Sequence, residues 1–283
     1  MKITNRLPPE GINVHPTNHL VELLYLLGGV VGAVVLIYLA LGWVADALVA
    51  RISPQTEGRL LGRLLPAASA LAPDTRAHAA PQQLVDRLLK QAPPLPYRIR
   101  VRIACDPGVN ALALPGGHIV LLRGLLDRVR SENELAMILA HELGHFYLRH
   151  HLRGLGRGLV WISLMAVLGL GTDYGSALIE GTGRLVAMRY SQDQEEAADR
   201  FGAALLAKVY GHVTGMGDFF ARMARERPEP ALLGWFSTHP AARQRLARLQ
   251  ALARQRGWRE GPRRPWVASA HGCPAPKLRK ARK

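Results

Sequence analysis

The chain has 283 residues, of which 48% are hydrophobic and 20% charged, so it is long enough for one domain with a substantial core plus appendages. It is strongly basic, with 37 lysines and arginines against 21 aspartates and glutamates and a net charge of +16. This surplus favours an anionic partner, either lipid headgroups or nucleic acid. Aromatic residues make up only 6% and are not interleaved with the basic ones, so lipid is favoured and no nucleic acid is expected.

The two cysteines, Cys105 and Cys273, form no C-x-x-C pair, and the second lies in a tail rich in proline and glycine. This spacing argues against a cysteine zinc site and against a disulfide framework. We therefore expect neither cysteine to matter for function, and their number leaves the cellular compartment open.

A polar N-terminal segment, residues 1–22, precedes a run without charge at residues 23–45. Because a helix rises about 1.5 Å per residue and the hydrocarbon core is about 30 Å thick, this run predicts a transmembrane helix. A cleaved signal peptide is one alternative, since residues 45–47 resemble a cleavage site, and a buried core helix is another. The run is long for a signal peptide and has no polar face, which favours a membrane anchor.

The charges around the span do not fix its orientation. Lys2 and Arg6 precede it, whereas Arg51, Arg59 and Arg63 follow it, a small bias towards a cytoplasmic location for the part of the chain after the span. Large domains cross membranes regardless of such charges. We expect a single-pass protein of a bacterial-type inner (plasma) membrane, with the side on which the rest of the chain lies left open.

Residues 46–83 predict a linker, and residues 84–256 predict the folded domain. Within that domain helical spacing at 84–92 gives way to alternation at 97–103, followed by two further short strands, 111–114 and 118–122. Inside the span, Gly28 and Gly32 form a G-x-x-x-G pair, a weak signal for helix pairing and hence for a homo-oligomer.

Helices dominate the rest of the predicted domain. A capping box, Ser131 with Glu134, begins a helix that runs beyond His145. The uncharged segment 158–172 is short for a full span and predicts a core or membrane-dipping segment. Three further helices are predicted, at 190–209, 214–226 and 240–256, and the tail 257–283 is predicted to be basic and disordered. The fold class is therefore α+β and mostly helical, with a small β-sheet and an N-terminal transmembrane helix.

Residues 141–145 read H-E-L-G-H inside the capped helix. Residues four apart share one helix face, so His141 and His145 can bind one metal ion from the same side. Glu142, about 100° round the helix, flanks that ion without binding it and can act as a general base. The alternative is a chance occurrence in a chain with eleven histidines. The position on an apolar helix face argues against chance, because buried imidazoles and carboxylates are costly unless paired or bound to metal.

A zinc ion needs a third protein ligand and an open position. The helical wheel of 190–209 places Glu195 on the same face as Ala198 and Gly202, whereas Glu196 points about a quarter-turn away. Glu195 is therefore the predicted third ligand and Glu196 is expected to be solvated, although a wholly solvated acidic face is the alternative. Asp199, one turn after Glu195, is expected to accept a hydrogen bond from a ligating histidine.

These motifs together resemble the gluzincin peptidase family of HtpX, Oma-like and CAAX prenyl endopeptidases. H-E-L-G-H is followed some fifty residues later by E-x-x-x-D; residues 110–117 are similar to the family's N-A-x-x-x-P-G-G segment, and 237–240 to its T-H-P motif, with Arg245 after it. The resemblance covers roughly residues 84–252. It implies a zincin-like metalloprotease domain with one Zn²⁺ per subunit held by His141, His145 and Glu195, and catalysis by Glu142. The chain departs from HtpX proper, which has more membrane spans.

Other histidines and the substrate-binding strand are less certain from sequence. His239 is a catalytic candidate that could stabilise the oxyanion or close the site as a fourth zinc ligand, and its alternative is a structural place at a helix start. His150 and His151 are expected to be exposed at a helix end. The strand 118–122 is predicted to be a sheet edge on which an extended substrate pairs.

The favoured function is a membrane-anchored zinc metalloendopeptidase that hydrolyses polypeptide substrates in membrane or envelope protein quality control. The alternative is a chaperone-like binding module that retains zinc but whose active site is blocked. A basic nucleic-acid-binding protein with an accidental motif is the third hypothesis, and it predicts no bound zinc.

Overall fold

A computed structural model describes residues 18–53, 55–57, 79–95, 98–114, 116–169, 190–225, 239, 242–266 and 273. The predictions for the first 17 residues and for most of the linker lie outside these residues.

The N-terminal helix α1 spans His19–Arg51 and is longer than the predicted span of 23–45. Asn18 begins it, because its side chain accepts a hydrogen bond from the backbone of Leu20 at 3.1 Å. Most of its large apolar side chains are exposed. Among the described residues, α1 is the one helix that is long and apolar enough to cross a bilayer, and it fits a single-pass membrane anchor.

Three strands form a small mixed sheet in the order β1-β3-β2: β1 is Arg100–Ala104, β2 is Ala111–Leu114 and β3 is His118–Leu122. β3 pairs in parallel with β1 and antiparallel with β2. The prediction that residues 118–122 form an edge is therefore wrong. The hairpin turn at Gly116 and Gly117, both with φ of 82°, folds β3 back between the other two strands and leaves β2 at an edge.

Helices make up most of the described chain, as predicted. They are α2 (Ala79–Leu89), α3 (Arg123–Leu126), α4 (Glu132–Tyr147), α5 (His150–Val167), α6 (Gln192–Tyr210), α7 (Asp218–Arg225) and α8 (Ala242–Arg256). The sheet and α4 lie at the centre of one hydrophobic core, against which α2, α6, α7 and α8 pack.

Small residues bring α4 and α6 into direct contact. A Cβ added at Gly144 would lie 3.0 Å from the Cα of Ala198, and one at Gly202 would lie 3.1 Å from the backbone nitrogen of His141. Larger side chains at these glycines would push the helices apart. This close approach sets the distance between the groups that the two helices bury.

The tail predicted to be disordered is ordered over residues 257–266. Trp258 and Trp266 pack against the core, and the carbonyl of Arg264 accepts a hydrogen bond from the backbone of Glu132 at 2.9 Å. The first amides of a helix lack partners within that helix, and this segment supplies one for α4. The prediction of disorder was based on the high content of proline, glycine and charge. It did not take into account the two tryptophan rings, which pack on the core, or the free backbone amides at the start of α4.

The expectation of no disulfide is also wrong. Cys105, in the turn after β1, is bonded to Cys273, with Cα atoms 5.3 Å apart and a sequence separation of 168. Sequence motifs report cysteines that are close along the chain, so they carried no information on this pairing. The bond ties the C-terminal segment to the sheet.

Candidate metal centre

The two histidines of the H-E-L-G-H motif face each other on α4. Ser131 begins the helix by accepting a hydrogen bond from the backbone of Glu134 at 3.2 Å, which is one half of the predicted capping box; the Glu134 side chain accepts instead from the backbone of Arg130. His141, Glu142 and His145 are all buried. The Nε2 atoms of His141 and His145 lie 3.0 Å apart, so the two imidazoles converge on one point.

Glu195 approaches the same point from α6. Ser191 and Gln194 form a capping box that fixes the start of this helix, and Glu195 lies on its buried face one residue later. Its Oε2 is 3.6 Å from Nε2 of His141, and its Oε1 is 3.4 Å from Nε2 of His145. The helical-wheel choice of Glu195 therefore matches the geometry.

Glu196 lies at the surface of α6 rather than in the site. It pairs with Arg200 one turn later and, at 3.1 Å, with Arg248 of α8. It is partly exposed, in agreement with the expected solvated position. The acidic run on α6 is therefore divided between the buried site and the surface.

His239 joins the same cluster. Its side chain is buried, with Nδ1 2.9 Å from Oε1 of Glu195 and Nε2 3.7 Å from Oε1 of Glu142. The possible capping role of the neighbouring Thr238 and Pro240 lies outside the described residues. The structure thus brings His239 to the site, where sequence spacing alone could not place it.

These side chains have the spacing that a tetrahedral metal site needs. One donor atom from each of His141, His145, Glu195 and His239 lies within 4.8 Å of the others. In a tetrahedral zinc site with bonds of about 2.1 Å, the donor atoms are separated by about 3.4 Å. The separations of 3.0, 3.4 and 3.6 Å among the predicted ligands match that value, so the donor set fits zinc.

Asp199 and Arg245 support the site from behind. The carboxylate of Asp199 lies 2.9 Å from Nδ1 of His141, which leaves Nε2 of that ring directed at the metal position. Arg245 donates two hydrogen bonds to Asp199, from Nε at 2.8 Å and from Nη2 at 2.7 Å, and also pairs with Glu195. The sequence offered no role for Arg245; its buried, bidentate pairing shows that it balances the acidic charge of the site.

The surroundings of Glu142 and Glu195 shift the pKa values of these two carboxylates in opposite directions. Burial raises the pKa of Glu142 to about 7, against a partial lowering by the nearby His239. Burial acts in the same direction on Glu195, but the charges of His239, Arg245 and His141 outweigh it and hold the pKa of Glu195 well below its usual value. The lowered pKa favours the anionic form of Glu195, which is the form that binds a metal, whereas Glu142 is suited to proton transfer near neutral pH.

His150 and His151 are buried, contrary to the expectation that they are exposed. Nδ1 of His150 lies 3.0 Å from Nδ1 of His145, and Tyr190 stacks on the His145 ring with centroids 3.8 Å apart. His151 pairs with Glu57 at 2.8 Å. The chain turns sharply between α4 and α5, with Arg149 at a φ of 57°, and this turn returns both histidines to the core.

Residues 74–253 match the family model described as Peptidase family M48. A beta-barrel assembly-enhancing protease of Vibrio cholerae serotype O1 is 35% identical over 166 residues, which cover 53% of this chain and 34% of that relative. The mitochondrial metalloendopeptidase OMA1 of Arabidopsis thaliana is 27% identical over 172 residues, or 61% of this chain and 33% of the relative. The metalloprotease LoiP of Escherichia coli K12 is 29% identical over 160 residues, which cover 55% of this chain and 62% of that relative.

The chain thus spans about a third of the length of the first two relatives and less than two thirds of the third. The family model covers more than half of the chain and includes every predicted ligand. The resemblance drawn from the motifs is confirmed, and the chain belongs to Peptidase family M48, whose members depend on a metal, typically zinc.

Proposed function

We propose that this protein is a membrane-anchored zinc metalloendopeptidase in which His141, His145 and Glu195 hold one Zn²⁺ per subunit. Glu142 is the proposed general base. The observation that carries the proposal is the meeting of α4 and α6, which directs three donor atoms to one point beside the Glu142 carboxylate. Among the described residues, no donor lies within close hydrogen-bond distance of either oxygen of Glu142, and the backbone amide of Ala113 interacts with the carboxylate only weakly enough to lower its pKa in part, so the carboxylate can still accept from a substrate or a water.

The roles of the side chains follow from their positions. Zinc held there would act as a Lewis acid on the scissile carbonyl and on the attacking water. Glu142 takes a proton from that water and delivers it to the leaving amine, and a pKa of about 7 suits both steps. Asp199 holds the His141 ring in place through Nδ1, and Arg245 keeps Asp199 charged and fixed.

The edge strand β2 is the proposed site for substrate pairing, in place of β3. β2 packs against α4, the helix that carries Glu142, and among the described residues it pairs on one side alone. An extended peptide could add to its free edge through backbone hydrogen bonds and so bring a peptide bond past the metal position.

His239 supports a second candidate function. Its Nδ1 lies 2.9 Å from Glu195, close enough for His239 to complete a four-ligand set. Structural zinc sites have four protein ligands, whereas catalytic sites keep an open position. If His239 stays bound, the protein is a zinc-retaining, chaperone-like module with a blocked site; if it leaves or binds the oxyanion, the protein is a peptidase.

The disulfide supports a location for the catalytic domain. Cys105 lies in the catalytic domain, and disulfides persist in oxidising compartments rather than in the cytosol. We therefore place the domain on the outer, oxidising side of a bacterial-type plasma membrane, against the small charge bias towards the cytoplasm. Thiol labelling of protein taken directly from cells tests this placement: no label is expected before reduction, and labelling of both cysteines without reduction would overturn it.

A role in membrane or envelope protein quality control follows from two supports. The names of the relatives are a beta-barrel assembly-enhancing protease, a metalloendopeptidase and a metalloprotease, so proteolysis is what they share, and the first name links it to the assembly of β-barrels. The apolar helix α1 would keep the domain beside such substrates. Polypeptides and the lipid bilayer are the proposed partners.

A fluorogenic casein assay on the purified full-length protein tests the function. We expect cleavage by the wild type and a loss of at least a hundredfold in Glu142→Gln, because general-base catalysis contributes about 10²–10⁴-fold. Glu196→Gln is the matched control and should retain activity, because Glu196 lies at the surface of α6, next in sequence to Glu195 but outside the site. A zinc-loaded wild type that cleaves nothing would favour the blocked module, and equal activity in Glu142→Gln would reject the proposed base.

A further inference from the structure

The helix that follows the metal centre is packed along the membrane anchor. α5 and α1 form a long antiparallel contact. Arg157 pairs with Asp46, a Cβ added at Gly156 would lie 3.4 Å from the Cβ of Ala45, and Trp161 meets Tyr38 edge-on with ring centroids 5.7 Å apart. α5 therefore runs beside the half of α1 that is nearer its C-terminus.

The residues of α1 that face α5 form one stripe. They have reduced exposure and recur every three or four positions, as one face of a helix does. They are Val34, Tyr38, Gly42, Ala45 and Val49. On the N-terminal side of this stripe, residues 19–33 of α1 are exposed throughout, so α5 covers about half of the span.

The charged residue that borders the uncharged run lies at the same level on α1 and on α5. On α1 the uncharged run ends before Asp46, and in the α5 region the uncharged run begins directly after Arg157 and continues in the sequence to residue 172. The ion pair between these two residues joins the boundaries. If the uncharged run of α1 is in hydrocarbon, the C-terminal half of α5 is at the same depth, because the two are in contact.

At and just beyond the C-terminal end of α5, the exposed described side chains carry no charge and, apart from Ser163, are apolar; Trp161 also contacts Tyr38 with part of its ring. Trp161 is 47% exposed, Val167 84% and Leu168 41%. From Arg157 to Val167 the helix rises about 15 Å, which is half of the hydrocarbon thickness. Trp161 lies one helical turn after Arg157, and tryptophan side chains favour this position at the membrane interface.

We propose that the C-terminal half of α5 inserts into one leaflet beside α1 and holds the metal centre at the bilayer surface, so that its substrates are polypeptide segments close to the membrane. The length of α5 sets the distance of the metal centre from the bilayer surface. His150, which contacts His145 of the metal centre, is seven residues from Arg157, or about 10 Å along the axis. This inference rests on the anchor in the proposed function, and it adds a second membrane contact and a substrate class.

Depth-dependent quenching tests the insertion in the full-length protein. Because the two native cysteines are bonded to each other, Val167→Cys supplies the one free thiol for an environment-sensitive fluorophore. The protein is reconstituted in phosphatidylcholine–phosphatidylglycerol vesicles that contain lipids with a nitroxide on the acyl chain. Leu36→Cys, on the exposed face of α1, is the inserted reference, and Gln250→Cys, on the exposed face of α8, is the aqueous reference.

We expect nitroxide lipids to quench the Val167 label several-fold more than the Gln250 label and about as strongly as the Leu36 label. A Val167 label that behaves like the Gln250 label, while the Leu36 label is quenched, would overturn the insertion and leave the anchor intact. Shielding of the Val167 label from both nitroxide lipids and aqueous iodide would show a protein cover and also overturn it. An unquenched Leu36 label would remove the anchor and this inference together.

A second measurement tests the substrate class. One fluorogenic casein-derived peptide is offered to the reconstituted protein in three forms: free, tethered to lipid by a short spacer, and tethered by a spacer of about 60 Å, well beyond the height that the helix rise implies. We expect the short tether to be cleaved at least tenfold faster than the long one at equal surface density. Equal rates for the two tethers would refute the placement at the surface even if the peptidase itself is active.

Discussion

Oε1 of Glu57 lies 2.8 Å from Nε2 of His151, and neither side chain is exposed to solvent. Glu57 comes six residues after the end of α1, and His151 is in the first turn of α5. The same carboxylate oxygen accepts a hydrogen bond from the backbone of Gly116 at 3.1 Å, in the turn between β2 and β3. One buried carboxylate thus joins the membrane anchor, the helix after the metal motif and the hairpin of the proposed substrate strand.

The variant Glu57→Gln should destabilise the protein. It keeps the shape but removes the charge that His151 and Gly116 contact, and hydrogen bonds to a buried charge contribute about 1.5–3 kcal/mol. We expect the melting temperature to fall by several degrees in differential scanning fluorimetry. Glu260→Gln, an exposed acid in the C-terminal segment, is the control and should melt like the wild type.

The pH dependence of this difference gives a sharper test. Burial raises the pKa of Glu57, but the hydrogen bond and charge of His151 and the amide of Gly116 outweigh it, so the pKa lies below its ordinary value of 4.5. A lowered carboxyl pKa contributes stability that is present above the unfolded value and is lost as pH falls through the folded one. The gap between wild type and Glu57→Gln should therefore shrink below about pH 4.5, and a gap that widens in acid would contradict this pairing.

Removing the support behind His141 should weaken metal binding. We expect Asp199→Asn to lower zinc affinity by about 10–100-fold, because partners that orient a ligating histidine have effects of that size. Competition with a chromophoric chelator measures it. Glu196→Gln, three residues earlier on the exposed side of α6, should bind as the wild type does; equal affinities in all three proteins would remove Asp199 from the site.

His239→Ala separates the two roles of this histidine. We expect turnover on casein to change by about tenfold or more while zinc content stays near one per chain. A fall in kcat identifies an oxyanion-stabilising group, and a rise identifies a ligand that closes the site. Turnover within twofold of the wild type would show that His239 has neither role.

The disulfide should stabilise the catalytic domain. Replacing both partners, Cys105→Ser with Cys273→Ser, removes a crosslink that closes a loop of 168 residues. We expect a loss of about 2–4 kcal/mol in the free energy of unfolding, the usual effect of a native disulfide. Denaturant titration of the double variant measures it. A midpoint that does not move would mean that the C-terminal segment is held by other contacts alone.

The sequence predicted the elements that local rules determine. The helix start at Ser131, the H-E-L-G-H spacing and the helical wheel that placed Glu195 on the buried face each depend on neighbours within one helix, and the structure shows them, although one half of the predicted capping box is missing because Glu134 accepts from Arg130 instead. The strands β2 and β3 were also found at their predicted bounds, because alternation and the Pro-Gly-Gly turn are local signals.

The sequence could not predict contacts between distant segments. The central position of β3 beside β1, the bond from Cys105 to Cys273 and the burial of Glu57 all depend on pairings between residues 18 to 168 positions apart, for which periodicity holds no information. The site shows the same division. His141 and His145 follow from one helix, whereas His239 reaches them only through the tertiary fold.

Zinc content, measured by inductively coupled plasma mass spectrometry on purified full-length protein, tests the central claim most directly. We predict about one zinc per chain in the wild type and in Glu142→Gln, because this variant changes only the proposed base. We predict strong loss of zinc in His145→Ala and Glu195→Ala, because each of these variants removes a ligand. A wild type that binds no zinc, or a Glu195→Ala variant that retains it fully, would contradict a metal held between α4 and α6.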